Sequence, residues 1–151
     1  MPTKWRIFLD TSALLAGLNS PTGAAGVILA ACFAHEFMPV VSPQIIEEAE
    51  RNIPVKFPLL KDGWASFLLI PPEVAPEPPL SEVRRARVLL PTSDAPILAC
   101  AFRAKPDALI TWNTRDFQRP NVRKETPFPI LTPGEFIEGM WRAKRETGGE
   151  R

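Results

Sequence analysis

The sequence of 151 residues predicts an α/β fold in which helices cover both faces of a parallel sheet, and three observations carry that prediction. Short runs rich in aromatic or β-branched residues recur along the chain. Segments of helical spacing with clear start signals separate them. The length suits one domain large enough to bury a hydrophobic core without disulfide or metal staples.

Residues 5–9 (WRIFL) read as the first strand, followed by Asp10, Thr11 and Ser12 and then the helical ALLAGL. An Ala-rich run from Gly23 to Ala34 is a second helix, and residues 37–41 (FMPVV) are a second strand. Ser42 and Pro43 form an N-cap with proline at the first helical position, opening PQIIEEAERNI. Residues 67–70 (FLLI) have strand composition, and residues 71–79 (PPEVAPEPP) predict an extended, polyproline-like surface connection. In SDAPILACAFRAK, Ile97, Leu98, Ala101 and Phe102 share one helical stripe, with Pro96 early enough for a first turn. Residues 108–110 (ALI) and 129–131 (PIL) are shorter strands, and Thr132 and Pro133 open a closing helix. The expected domain spans residues 1–140, with residues 141–151 as a charged, frayed tail.

A net charge of +1 excludes a globally basic nucleic-acid binder, so any contact with RNA must be local. Cys32 and Cys100 form no CxxC pair and lie in apolar segments, which excludes a disulfide framework. His35 is the only histidine, which excludes a His-rich zinc site; beside Glu36 it reads as a surface helix end. The longest apolar stretch, residues 24–34, is too short to span a bilayer, and Arg6 and Asp10 interrupt any signal-peptide core. These features predict a soluble, cytoplasmic protein with no membrane partner.

In an open parallel sheet, ligands collect outside the carboxyl ends of the strands. Asp10 stands directly after the first strand, as a helix cap or as a ligand. In QIIEEAE, Ile45, Ile46, Ala49 and Ile53 define an apolar stripe; Glu47 points away from it, whereas Glu48 flanks it near the crevice edge. Glu48 is then either a crevice acid or part of a charged helix surface. Asp94 precedes Ile97 and Leu98 by three and four residues, so it shares their side of the first turn, as a cap or facing a ligand. Asp116 follows the ALI strand within TWNTRDF, where Thr111 and Asn113 could equally form a capped turn. In a parallel sheet these four acids meet at one edge. Their mutual repulsion raises their pKa values unless a cation relieves it, and carboxylates without histidine or thiolate suit magnesium or manganese.

Residues 115–124 (RDFQRPNVRK) place Arg115, Arg119, Arg123 and Lys124 beside that edge, a local net +3 that is either a path for RNA phosphates or a solvated surface. Arg84, Arg85 and Arg87 form a second cluster with the same two readings. Trp112 reads as a core or interface packing residue, with stacking on a base as the alternative.

LDTSALL at residues 9–15, VVSPQIIEEAE at 40–50, SDAPILACA at 93–101 and ITWNTRDF at 110–117 together resemble the PIN-domain nucleases, which include the VapC-type toxins of prokaryotic toxin-antitoxin pairs. The resemblance implies a compact, Rossmann-like three-layer α/β/α sandwich with a central, mainly parallel sheet. It implies an acidic quartet, Asp10, Glu48, Asp94 and Asp116, that binds Mg2+ or Mn2+ and hydrolyses RNA phosphodiesters to 5′-phosphate and 3′-hydroxyl ends. Ser12 matches the small hydroxyl residue after the first acid, and Thr111 and Asn113 match the polar pair after the fourth strand. Many members carry Asp where this chain has Asn113. The resemblance also implies a small antitoxin protein as partner and a homodimer. Residues 53–90 match no part of the pattern.

A rival class is a catalytically silent PIN-like module that binds RNA or a protein. A phosphoryl-accepting domain like the haloacid dehalogenases is disfavoured because Ser12 stands where a second acid is needed. A dinucleotide-binding domain is disfavoured because no GxGxxG follows the first strand.

Overall fold

The computed structural model describes residues 4–148. Five strands, β1 (Arg6–Leu9), β2 (Met38–Val41), β3 (Glu73–Val74), β4 (Ala108–Ile110) and β5 (Ile130–Leu131), form one parallel sheet in the order β3-β2-β1-β4-β5. The helices around it make a three-layer α/β/α sandwich. Ile7, Phe8 and Leu9 of β1, Val40 and Val41 of β2, and all of β4 are buried, as strands covered on both faces must be. The register aligns Leu9 with Ile110, and the Asp10 amide donates to the Ile110 carbonyl at 3.2 Å. Two strands therefore end side by side.

Between the strands lie α1 (Thr11–Asn19), α2 (Ala24–Phe33), α3 (Pro43–Lys56), α4 (Lys61–Leu68), α5 (Leu80–Leu89), α6 (Ala95–Ala104), α7 (Thr114–Phe117) and α8 (Pro120–Glu125). A last helix begins as α9 (Pro133–Glu135), passes through a π-helical stretch (Phe136–Trp141) and continues as α10 (Arg142–Gly148). Local chemistry sets several of these starts. The Ser42 hydroxyl accepts the Ile45 amide at 3.1 Å and Pro43 takes the first turn of α3, which turns Ile45, Ala49 and Ile53 into the core. Thr132 and Glu135 form a reciprocal capping box at 3.1 and 2.9 Å. A Cβ on Gly26 would lie 2.2 Å from the Ser20 carbonyl oxygen, so only glycine allows the close corner between α1 and α2. These two helices meet at 89°, and among the described residues no single helix is long and apolar enough to cross a membrane. Cys32 and Cys100 are free and buried, and burial pushes their thiols up to about 12 and about 11. His35 is exposed in the turn after α2.

Two expectations need correction. Residues 67–70 are not a strand: Phe67 and Leu68 close α4, where Leu60, Trp64 and Phe67 recur at a helical spacing and are buried while Leu69 is 83% exposed. The missing strand comes instead from the proline run, where Glu73–Val74 pairs with β2 at the sheet edge. An edge needs ladder bonds on one side only and so tolerates flanking prolines. Arg6 fastens this edge across β2, its Nε donating to Glu73 Oε1 at 2.9 Å and its Nη1 to the Ala104 carbonyl at 2.8 Å. The adjacent guanidinium holds the Glu73 carboxyl below its ordinary value. The closing helix expected after Thr132 and Pro133 runs on past residue 140. Trp141 is buried and donates Nε1 to Glu36 Oε2 at 3.1 Å, beside Phe37 and Phe136, and the chain stays helical to Gly148. Residues 149–151 of the expected tail lie outside the described residues.

Candidate metal centre

The carboxyl ends of β1 and β4 and the first turns of α1, α3 and α6 are tied together by side chains. Asp10 is 4% exposed and caps α1: its Oδ1 accepts the Ala13 amide at 2.9 Å and the Ser12 hydroxyl at 2.7 Å. Its Oδ2 accepts the Thr111 hydroxyl at 2.6 Å. Thr111 Oγ1 in turn accepts the Asn113 amide at 2.8 Å, and Ser12 Oγ accepts the Trp112 amide at 3.0 Å. The loop after β4 is thereby laced to the loop after β1. Thr111, Ser12 and Asn113 are the side chains through which these two loops and the acids are joined.

Glu48 stands on α3 half-buried, while Glu47 faces solvent, as the stripe predicts. The Thr11 hydroxyl donates to Glu48 Oε1 at 2.6 Å, and Gln44 Nε2 approaches Oε2 at 3.4 Å. Asp94 precedes α6 at the cap position but accepts no backbone amide there. Its Oδ2 instead accepts Asn113 Nδ2 at 2.9 Å, and the same nitrogen donates to Asp116 Oδ2 at 3.1 Å. One amide thus bridges two acids. Asp116 Oδ1 is paired with Arg119 Nη2 at 3.4 Å.

The electrostatics identify Asp94 as the hub. Burial pushes its carboxyl above the ordinary value, the Asn113 bond opposes the rise, and the negative charges of Glu48 and Asp116 add to it. Burial likewise raises Asp10, against the bonds from Thr111, Ala13 and Ser12, with Asp94 adding a further push. Four carboxylates therefore share one edge of the sheet, with Arg119 paired to one of them.

Among the described residues no three His, Cys, Asp or Glu side chains enclose an ion. The donor set nonetheless fits magnesium or manganese. Magnesium needs no protein cage, since it takes one or two carboxylates and keeps several waters, and every donor here is a hard oxygen. Asp94, Asp116 and Asp10 would hold it, with Glu48 across the crevice.

The basic run divides. Arg119 turns onto Asp116, Arg123 reaches the Ile130 carbonyl at 3.4 Å, and Arg115 and Lys124 are exposed without an ion-pair partner among the described residues. Trp112 is 47% exposed, not packed. Arg85, from the second basic cluster, lines a cavity of about 430 Å³ with Glu82, Leu89 and Phe102 that includes none of the four acids. Sequence reasoning missed Gln44, one helical turn before Glu48 and legible from that spacing, and Thr11, whose bond to Glu48 joins distant segments and has no local signal.

The sequence pattern of the PIN domain matches residues 6–115, a span that includes Asp10, Glu48, Asp94 and Asn113 and stops just before Asp116. The chain belongs to the PIN domain family. PIN domains are generally nucleases and typically use a divalent metal. Among solved structures the chain is similar to VapBC2 from Rickettsia felis bound to a DNA fragment from their promoter, at 15% identity over 83% of this chain and 98% of that one, with a TM-score of 0.57. It is also similar to PAE2754 from Pyrobaculum aerophilum, at 19% identity over 89% and 88% of the two chains, again with a TM-score of 0.57. These likenesses concern the fold. No curated protein sequence matches the chain.

Proposed function

We propose that this PIN domain is a metal-dependent endoribonuclease of the VapC type, with Asp10, Glu48, Asp94 and Asp116 as its Mg2+- or Mn2+-binding acids. The observation that carries the proposal is Asp94: at a helix start it leaves the helix uncapped and turns its carboxylate to Asn113, within the field of two other acids. A purely structural aspartate would cap. When bound, the cation supplies charge neutralisation on the phosphate and acidifies water for attack.

The chain's own residues do the rest. Asp10 is immobilised by three hydrogen bonds and fixes one side of the crevice. Asn113 sets the spacing of Asp94 and Asp116. Glu48, steadied by Thr11, is the carboxylate that orients the attacking water and accepts its proton. Attack at phosphorus breaks the bond to the 3′ oxygen, which leaves and takes a proton from solvent, giving a 5′-phosphate and a 3′-hydroxyl. Arg115 and Lys124 draw the RNA backbone toward the acids, and Arg119 and Arg123 do so once released from their present contacts. The PIN family match, with a fold like that of VapBC2, favours a toxin-antitoxin role; an antitoxin over the four acids, a homodimer and a cytoplasmic setting are part of this proposal.

The test is cleavage of a structured RNA by purified protein in magnesium or manganese. Cleavage should vanish in Asp10→Asn and Asp94→Asn while their thermal unfolding remains cooperative. No cleavage by the native chain in either metal would sink the reading and leave the silent RNA- or protein-binding module.

A further inference from the structure

The four tryptophans are not used alike. Trp5 packs on Phe37 and Phe136, and Trp64 and Trp141 are each 7% exposed, but Trp112 is 47% exposed. Burying such a ring is among the larger hydrophobic gains open to a small domain, and here it is forgone. The ring is nevertheless held at one place. Its own amide donates to Ser12, Thr111 before it is bonded to Asp10, and Asn113 after it is bonded to Asp94 and Asp116. Alternation along the chain commits the side chains of residues 111 and 113 to the acids and leaves the indole in solvent beside them. Arg115, one helical turn on, is exposed and free of ion pairs among the described residues.

We propose that Trp112 is the residue on which an unpaired base of the substrate stacks; the identity of the crevice rests on the nuclease reading above. A base inside a duplex already has neighbours on both faces, whereas an unpaired base offers a free face to an indole. A platform pinned by hydrogen bonds loses little freedom on binding, and Arg115 supplies a cation for the adjoining phosphate.

The test separates binding from cleavage by working without magnesium or manganese, first in chelator and then in calcium. A short, fluorescently labelled oligoadenylate is titrated with the native chain, Trp112→Phe and Trp112→Ala; tryptophan emission reports stacking, and the anisotropy of the label reports affinity independently. Emission of the native chain should be quenched, and both variants should lose that quenching. Affinity should fall about 10-fold or more in Trp112→Ala, the size of one base–aromatic stack, and less in Trp112→Phe. The same strand annealed to oligouridylate should compete weakly. Unchanged melting temperatures would place these effects at the ring. The proposal is overturned by native emission that does not respond in chelator or calcium, by quenching that persists in the variants, or by duplex competing as well as single strand. Unaltered oligoadenylate binding in Trp112→Ala would also overturn it, and would assign the ring to a protein partner. Quenching by a chain that never cleaves RNA in magnesium or manganese would end the nuclease reading alone.

Discussion

Asp10 and Asp94 stand at the starts of two helices along the same edge of the sheet, yet they are held in opposite ways. Asp10 is almost fully buried, caps its helix and accepts three hydrogen bonds; Asp94 is half-buried, caps nothing and accepts one, from a side chain shared with Asp116. The first acid is part of the architecture that joins β1 to β4. The second is pointed at the crevice at some cost to its own helix. Equal roles in the proposed metal site would therefore go with unequal roles in folding.

Truncation gives the largest contrast. Asp10→Ala removes a cap and leaves the buried Thr111 hydroxyl without its acceptor, so urea unfolding should show a loss of about 2–4 kcal/mol. Asp94→Ala should cost less than about 1 kcal/mol, since no backbone group loses a partner and a like-charge interaction disappears. Both should reduce RNA cleavage by at least about 100-fold, beyond the effect expected for a residue outside the ligand set. Equal losses of stability in the two variants would break the distinction.

Acid pH probes the same pair. Both carboxyls are raised above their ordinary value by burial, so the folded chain holds protons that the unfolded chain has released. Their contribution to stability is fully present below the ordinary carboxyl value and is lost as pH rises through the raised one. The metal-free chain should accordingly gain a few degrees in Tm as pH drops from neutral into that window, and Asp94→Asn should show a flatter profile. Glu73 and Glu135, both lowered, act in the opposite sense in native and variant chains alike, so the difference between the two profiles reports Asp94 together with the push it gives Asp10. A steeper profile in the variant would contradict the assignment.

Asn113 sharpens the contrast from the other side. Asn113→Asp exchanges the bridging amide for a third carboxylate between Asp94 and Asp116, so metal-free stability should fall by about 1–3 kcal/mol while calorimetry records tighter magnesium binding. Asp116→Asn should do the reverse to binding. If Asn113→Asp weakens magnesium binding and Asp116→Asn does not, the roles of the two positions are exchanged.

Legibility in the sequence divides along the same line between local and distant causes. Asp10 and Asp116 were readable because each follows an apolar strand, and Glu48 and Asp94 because each keeps a fixed phase to an apolar stripe on its own helix. Periodicity and caps are properties of neighbouring residues. What joins these acids is not: Thr11 to Glu48, Asn113 to Asp94 and Thr111 to Asp10 are contacts between remote segments. The stretch from 53 to 90 failed for a related reason. In α5 only Ala86 is buried, too little to print a stripe, and β3 is a two-residue edge strand held by Arg6 from across the sheet. The run 67–70 has the composition of a strand in isolation; its helical phase shows only together with Leu60 and Trp64, whose spacing to Phe67 is helical.

Arg119 offers the smallest effect and tests the open side of the comparison by itself. Its pair with Asp116 is longer than a strong charge-assisted bond, at 3.4 Å, and both side chains keep contact with water, at 36% and 20% exposure. Such a pair contributes at most about 1 kcal/mol, so Arg119→Ala should hardly move the unfolding curve. Its consequence for metal is larger in kind, because the arginine is a positive charge held against one of the proposed ligands. Removing it should tighten manganese binding severalfold, whereas RNA affinity should weaken and lose part of its salt dependence if the same arginine turns to the phosphate backbone when RNA binds. The two measurements pull in opposite directions only if Arg119 exchanges between carboxylate and phosphate. An arginine fixed on Asp116 for structural reasons would alter metal binding and leave the salt dependence of RNA binding as it was.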